Sequence, residues 1–176
     1  ANFRNTNFMY FDSGLGLGLR WQQSRRTFCN LSTGISHLNT PIQQFMSGGE
    51  RLPMRISAQI TASAQINQKN DLLASTQYQR QSVYQSFMFG AGWRYHLDQS
   101  RGREMAIFAT LSHRLKDAIV PMLGFNYQGW QFGLSFDINI SNFDVATNRN
   151  GAVELSLIYI LARVPKLGVV KTCPIL

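Results

Sequence analysis

The chain has 176 residues, of which 44% are hydrophobic and only 15% charged, with a net charge of +8 and a mean hydropathy of -0.14. Ordinary soluble domains carry about 25% charged residues, and no apolar run here approaches the ~18 residues of a helical membrane span; the best is Leu155 to Ala162, broken by Ser156. Cys29 and Cys173 are too few for a disulfide framework, leaving one bridge or two free thiols, and the basic residues form no aromatic-interleaved stripe of the kind that nucleic acid requires.

The chain opens Ala-Asn-Phe-Arg, without an initiator Met, a basic n-region or an apolar h-region. The expectation is either a removed signal peptide or a start partway into a longer protein. Leu15, Leu17, Leu19 and Trp21 then alternate with Gly14, Gly16, Gly18 and Arg20. No helical pattern follows the glycines, so a phosphate-binding loop is a poor reading, and glycines on the inner side of a curved strand are a better one. After Arg25-Arg26 a strand runs from about Thr27 to Ser36. His37 to Pro53 carries Pro41, Gly48, Gly49 and Pro53 and predicts a long loop.

Residues 54–67 alternate without a break. Met54, Ile56, Ala58, Ile60, Ala62, Ala64 and Ile66 share one face; Arg55, Ser57, Gln59, Thr61, Ser63, Gln65 and Asn67 share the other. A turn over Asn67 to Asp71 leads to a weaker strand, Leu72 to Arg80. Tyr84 to Leu97 alternates strongly, and Asp98 to Arg103 reads as a polar turn. Further strands are marked by Met105 to Arg114, Asp117 to Tyr127, Trp130 to Ile140 and Ala152 to Leu161. Pro121 removes a ladder hydrogen bond and predicts a bulge or an edge.

The sum is about nine strands in a meander, with no amphipathic helix. The predicted fold is all-β, an antiparallel up-and-down transmembrane β-barrel over 1–161, followed by a C-terminal periplasmic tail over 162–176. Tilted spanning strands need roughly 9–11 residues, and Trp21, Tyr95, Tyr127, Trp130 and Tyr159 gather near strand ends as an interfacial girdle would. Single-chain bacterial barrels have an even number of strands, so nine implies a wall lacking N-terminal strands and belonging to a larger barrel.

The alternation also sorts the charges. Arg20, Arg55, Arg94, Asp137 and Glu154 fall on the polar face, pointing into the lumen, where isolated charges are costly. An ion-pair network among them is the expectation, serving barrel packing or a pore constriction. His37, His96 and His113 show no metal spacing, and a catalytic arrangement would need a proximity that spacing does not supply. No catalytic residue, metal site or cofactor is predicted.

Several strings resemble the PorP/SprF family of type IX secretion system outer-membrane proteins: GISHLNTP (34–41), LPMR (52–55), HRLKDA (113–118), GLSFD (133–137), ELSLIY (154–159) and a late CP (173–174). They occur in order from about residue 12 onward and correspond to the C-terminal portion of the family pattern. The motif positions are His37, Asn39, Pro41, Arg114 and Asp117. The resemblance implies a non-enzymatic barrel in the bacterial outer membrane, a docking or anchoring platform in protein secretion and gliding. Its implied partners are outer-membrane lipid, a periplasmic ring lipoprotein with its partner, and secreted surface proteins. In that setting the tail residues Arg163, Lys166, Lys171 and Cys173 become a partner-docking element. The alternative expectation is a general diffusion pore.

Overall fold

The computed structural model describes residues 9–43, 49–100, 102–140 and 150–161. Its elements are β1 (Gly14–Gln22), β2 (Phe28–Ser36), β3 (Ile42–Gln43), β4 (Glu50–Arg51), β5 (Arg55–Gln65), β6 (Asn70–Gln81), β7 (Tyr84–Asp98), β8 (Met105–Arg114), β9 (Ala118–Tyr127), β10 (Trp130–Asn139) and β11 (Asn150–Tyr159). Nine of them form one antiparallel sheet in the order β1-β2-β5-β6-β7-β8-β9-β10-β11. The predicted long loop holds a small ladder of its own, β3 with β4, joined through Ile42↔Arg51 and Gln43↔Glu50.

The register keeps the alternation in phase across the sheet. Arg20 lies opposite Asn30, Asn30 opposite Thr61 and Thr61 opposite Ser75. Ser75 lies opposite Gly90, and Gly90 opposite Ser112. Opposed residues of an antiparallel pair share a face, so the polar residues make one continuous surface. Leu72, Trp93, Ala109, Leu123, Leu134 and Leu155 trace the other.

Burial runs opposite to that of a water-soluble sheet. The apolar face is the exposed one: Leu15 is 75% and Leu155 80% accessible. The polar face is sheltered, and the buried residues of the nine-stranded sheet, Ser63, Asp71, Ala106, Phe108, Ala118 and Gly133, all belong to it. Such a surface is stable against hydrocarbon, not against water.

Curvature shelters the polar face. Arg25 Nη2 lies 3.2 Å from Glu104 Oε1, tying the turn after β1 to the segment before β8. Three strands separate β2 from β8, a span of about 19 Å in a flat sheet with strands about 4.8 Å apart. The wall curls towards its polar side. Small residues permit this: an added Cβ on Gly133 would meet Met122 and Ser156, and one on Gly124 the ring of Phe108.

β9 is internal to the sheet, so Pro121 marks no edge. Its effect falls on the ladder to β10, which pairs Ser135↔Met122 and resumes only at Ile138↔Ile119. On the far side of β10 the register shifts between Phe136 and Ile138. Asp137 therefore sits where β10 is loosened on both flanks. β1 and β11 are the free edges of the sheet. Nine antiparallel strands make these edges run in the same direction, so joining them directly would need a parallel pair.

Candidate functional site

The two rims of the wall differ. At one rim the connections are 23–27, 66–69, 99–104 and 128–129. The last is a two-residue turn with Gln128 and Gly129 both at positive φ (48 and 88), which matches the twist of its flanking strands. The other rim carries the tight turns 82–83 and 115–117 and the two longest connections, 37–54 and 140–149.

The short-turn rim is built around Asp71, which is fully buried on the inner face at the start of β6. Its Oδ1 accepts hydrogen bonds from Arg26 Nε at 2.9 Å and Nη2 at 2.6 Å, and its Oδ2 lies 2.7 Å from His96 Nε2. The same guanidinium donates to the carbonyls of Gln68 (2.5 Å) and Asn67 (3.1 Å). One carboxylate thus holds together the β1–β2 turn, the β5–β6 turn and the end of β7. Charge-assisted bonds of this kind are among the stronger polar contacts.

Asp71 also stands opposite Arg94 in the ladder, but its two oxygens are engaged by Arg26 and His96. Arg94 has no hydrogen-bond or ion-pair partner among the described residues, and its Nε is buried. It lines a cleft of about 530 Å³ together with Arg26, Gln65, His96, Asn126 and Gln131.

The long-loop rim gathers all five motif positions. His37, at positive φ (61), places Nδ1 2.8 Å from Asp12 Oδ2. Asn39 Oδ1 accepts from the Ser13 backbone N–H and hydroxyl, both at 3.1 Å, while its Nδ2 donates to the Phe11 carbonyl at 2.6 Å. The carbonyl of Pro41, which is buried, accepts from Leu52 N–H at 2.9 Å. The 37–41 segment thereby fastens residues 11–13 ahead of β1. Across the rim, Arg114 Nη1 meets Asp117 Oδ2 at 3.1 Å and its Nη2 meets Asp137 Oδ2 at 3.4 Å. The Asp117 carbonyl accepts from Ile140 N–H.

The five lumen charges all fall on the inner face, but the structure does not join them into one network. Asp137 pairs with Arg114, two strands away, rather than with Arg20, Arg55 or Arg94. Arg20 lies over the Phe28 ring, 4.4 Å from its centroid, and bonds Gln22 Oε1 at 3.1 Å. Arg55 faces Ser36 and Gln81, and Glu154 faces Ser135; among the described residues neither has an ion pair. The reason is spacing: the cations stand on β1, β5 and β7 and the anions on β10 and β11, with at least two strands between them in the sheet order. Arg163, Lys166, Lys171 and Cys173 lie outside the described residues. Cys29 is half-buried, with a free thiol among the described residues.

Arg26, although it lies in a turn, is tied to a buried carboxylate. Asp71 and His96 were not singled out as site residues. Their signal lay in the alternation, which puts Asp71 in phase with Leu73, Ser75 and Gln77, on the inner face rather than in a turn. Among the described residues no cluster of His, Cys, Asp and Glu could hold a metal ion.

A curled antiparallel wall with an apolar outside, a polar inside and charged rims defines a β-barrel-type protein of the outer membrane; no described helix is long and apolar enough to cross a membrane. The match that places it more closely is to a family, type IX secretion system membrane protein PorP/SprF, over residues 2–159. The chain belongs to this family and so to the membrane components of type IX secretion. The match takes in nearly the whole chain, from residue 2 through the end of β11, which corrects the resemblance read from about residue 12 as a C-terminal portion only. No curated protein and no solved structure matches the chain.

Proposed function

We propose that this protein is a non-enzymatic docking and anchoring platform of the type IX apparatus, holding secreted surface proteins outside and periplasmic ring components inside. The observation that carries this reading is the family match across 2–159. The asymmetry of the rims supports it. Outer-membrane barrels turn short on the periplasmic side and loop long outside, and on that rule the rim where β11 ends is the periplasmic one. The proposal is that residues 162–176 follow from that rim and meet the ring.

Affinity purification of the full chain from its own outer membrane in mild detergent tests the platform. Co-purification of the ring lipoprotein, its partner and secreted surface proteins is the expected result. A protein that comes away alone and conducts ions in planar bilayers would instead be a diffusion pore. Phe108 and Met122, folded over inner-face glycines, speak against an open lumen.

A further inference from the structure

We infer that the cleft at the short-turn rim is a binding site for a carboxylate of an extended peptide segment, with Arg94 as its anchor.

At this mouth nearly every charge is already engaged. Arg25 is occupied by Glu104, and Arg26 by Asp71 and two backbone carbonyls. His96 is occupied by Asp71, and Asp98 by the Ser100 N–H. Arg94 is the one cation lining the cleft with no partner among the described residues. It lies on the sheltered face, where a guanidinium that is not hydrogen-bonded is costly. The facing carboxylate, Asp71, attracts it through space, but its hydrogen bonds go to Arg26 and His96. Its single negative charge is thus shared among three cationic side chains when His96 is protonated. The site is therefore preorganised for an incoming acceptor.

The chemistry of that acceptor follows from what surrounds Arg94. A phosphate dianion would call for two or three free cations, and the cleft has one. A single carboxylate matches a single planar guanidinium. Most of the remaining polar lining is amide: Gln65, Gln99, Asn126, Gln128 and Gln131, beside Tyr127 and Trp130. Amide side chains donate to and accept from an extended backbone, and Asn126 Oδ1 is buried without a partner of its own. A cleft of about 530 Å³ admits a few residues of such a segment. The site stands on geometry alone; only the supply of the segment by a secretion component rests on the docking reading above.

The test is fluorescence anisotropy on the full chain purified from outer membranes, with a labelled Ser/Gly hexapeptide carrying one central glutamate, and its glutamine counterpart. The glutamate peptide is expected to bind at least tenfold more tightly than the glutamine one. Arg94→Gln should remove that difference, and Arg94→Lys should restore part of it. Asn126→Asp, which sets a negative charge beside the site, should weaken the glutamate peptide about tenfold, and it carries the test if Arg94→Gln does not fold. Equal binding of the two peptides, or unchanged binding by Asn126→Asp and Arg94→Gln, overturns the site. Displacement by inorganic phosphate at lower concentration than by acetate overturns the carboxylate assignment. Glutamate-peptide binding by a protein that co-purifies no secretion component supports the site and overturns the docking reading alone.

Discussion

The ring of Phe108 fills the space that a side chain on Gly124 would need, from the neighbouring strand and on the inner face. Phe108 is 7% exposed, the largest of the buried apolar residues on this largely polar face. The pair shows how the curled wall packs its inner face, with a large residue on one strand matched to a missing side chain on the next.

Gly124→Ala should therefore destabilise the barrel by about 1–3 kcal/mol, the usual range for overpacking. Phe108→Ala should cost about 3–5 kcal/mol by leaving a cavity. The double variant should be no worse than Phe108→Ala, because the added methyl then enters empty space. Urea midpoints in detergent, read by heat-modifiability on gels, give the three values. Additive losses would mean that the ring sits elsewhere.

The Asp71 clamp makes a sharper claim. Replacing Asp71 by Asn leaves Arg26 beside a neutral amide and removes the carboxylate opposite Arg94. Breaking a buried pair from one side costs about 3–5 kcal/mol, and the partial exposure of Arg26 places the expectation at about 3. Three chain segments converge on this carboxylate, so protease cleavage in the 23–27 and 66–69 turns should rise together. A stability unchanged within about 0.5 kcal/mol would remove the clamp from the account.

How far the sequence reaches is visible in these two residues. The period-2 alternation gives the strands and their faces because a strand has no other way to place successive side chains. Hence Arg20, Arg55, Arg94, Asp137 and Glu154 fall inside, as alternation requires. Which charge meets which is a matter of register and curl, and neither is written locally. Asp71 looked like the end of a turn because Asn67, Lys69 and Asn70 precede it. Arg26 has no acidic residue nearby in sequence to pair with; its partner is forty-five residues on.

Asp137 supplies the next prediction. It lies 3.4 Å from Arg114, with Asp117 competing for the same guanidinium, and both partners are partly exposed. A double-mutant cycle of Asp137→Ala with Arg114→Ala should give a coupling of about 1 kcal/mol, in the upper range for exposed pairs. Cycles of Asp137→Ala with Arg20→Ala, Arg55→Ala or Arg94→Ala should be additive within about 0.5 kcal/mol. Coupling to any of those three would restore the single lumenal network.

Leu134 and Ser135 test the membrane reading itself, one residue apart near the middle of β10. Leu134 is 51% exposed on the apolar face, between Leu123 and Leu155. Ser135 looks inward, opposite Met122 and Glu154. An arginine near the bilayer midplane on the lipid side costs about 2–4 kcal/mol, so Leu134→Arg should fold poorly into phospholipid vesicles. Ser135→Arg should lose less than about 1 kcal/mol, because Glu154 stands across the ladder to receive it. The contrast is to be read as the folded fraction in vesicles over a urea series. A soluble sandwich would bury the same apolar face in its core and keep the same order, so the deciding reading is the unsubstituted chain: it should fold only with phospholipid or detergent, and folding in plain buffer would overturn the membrane reading.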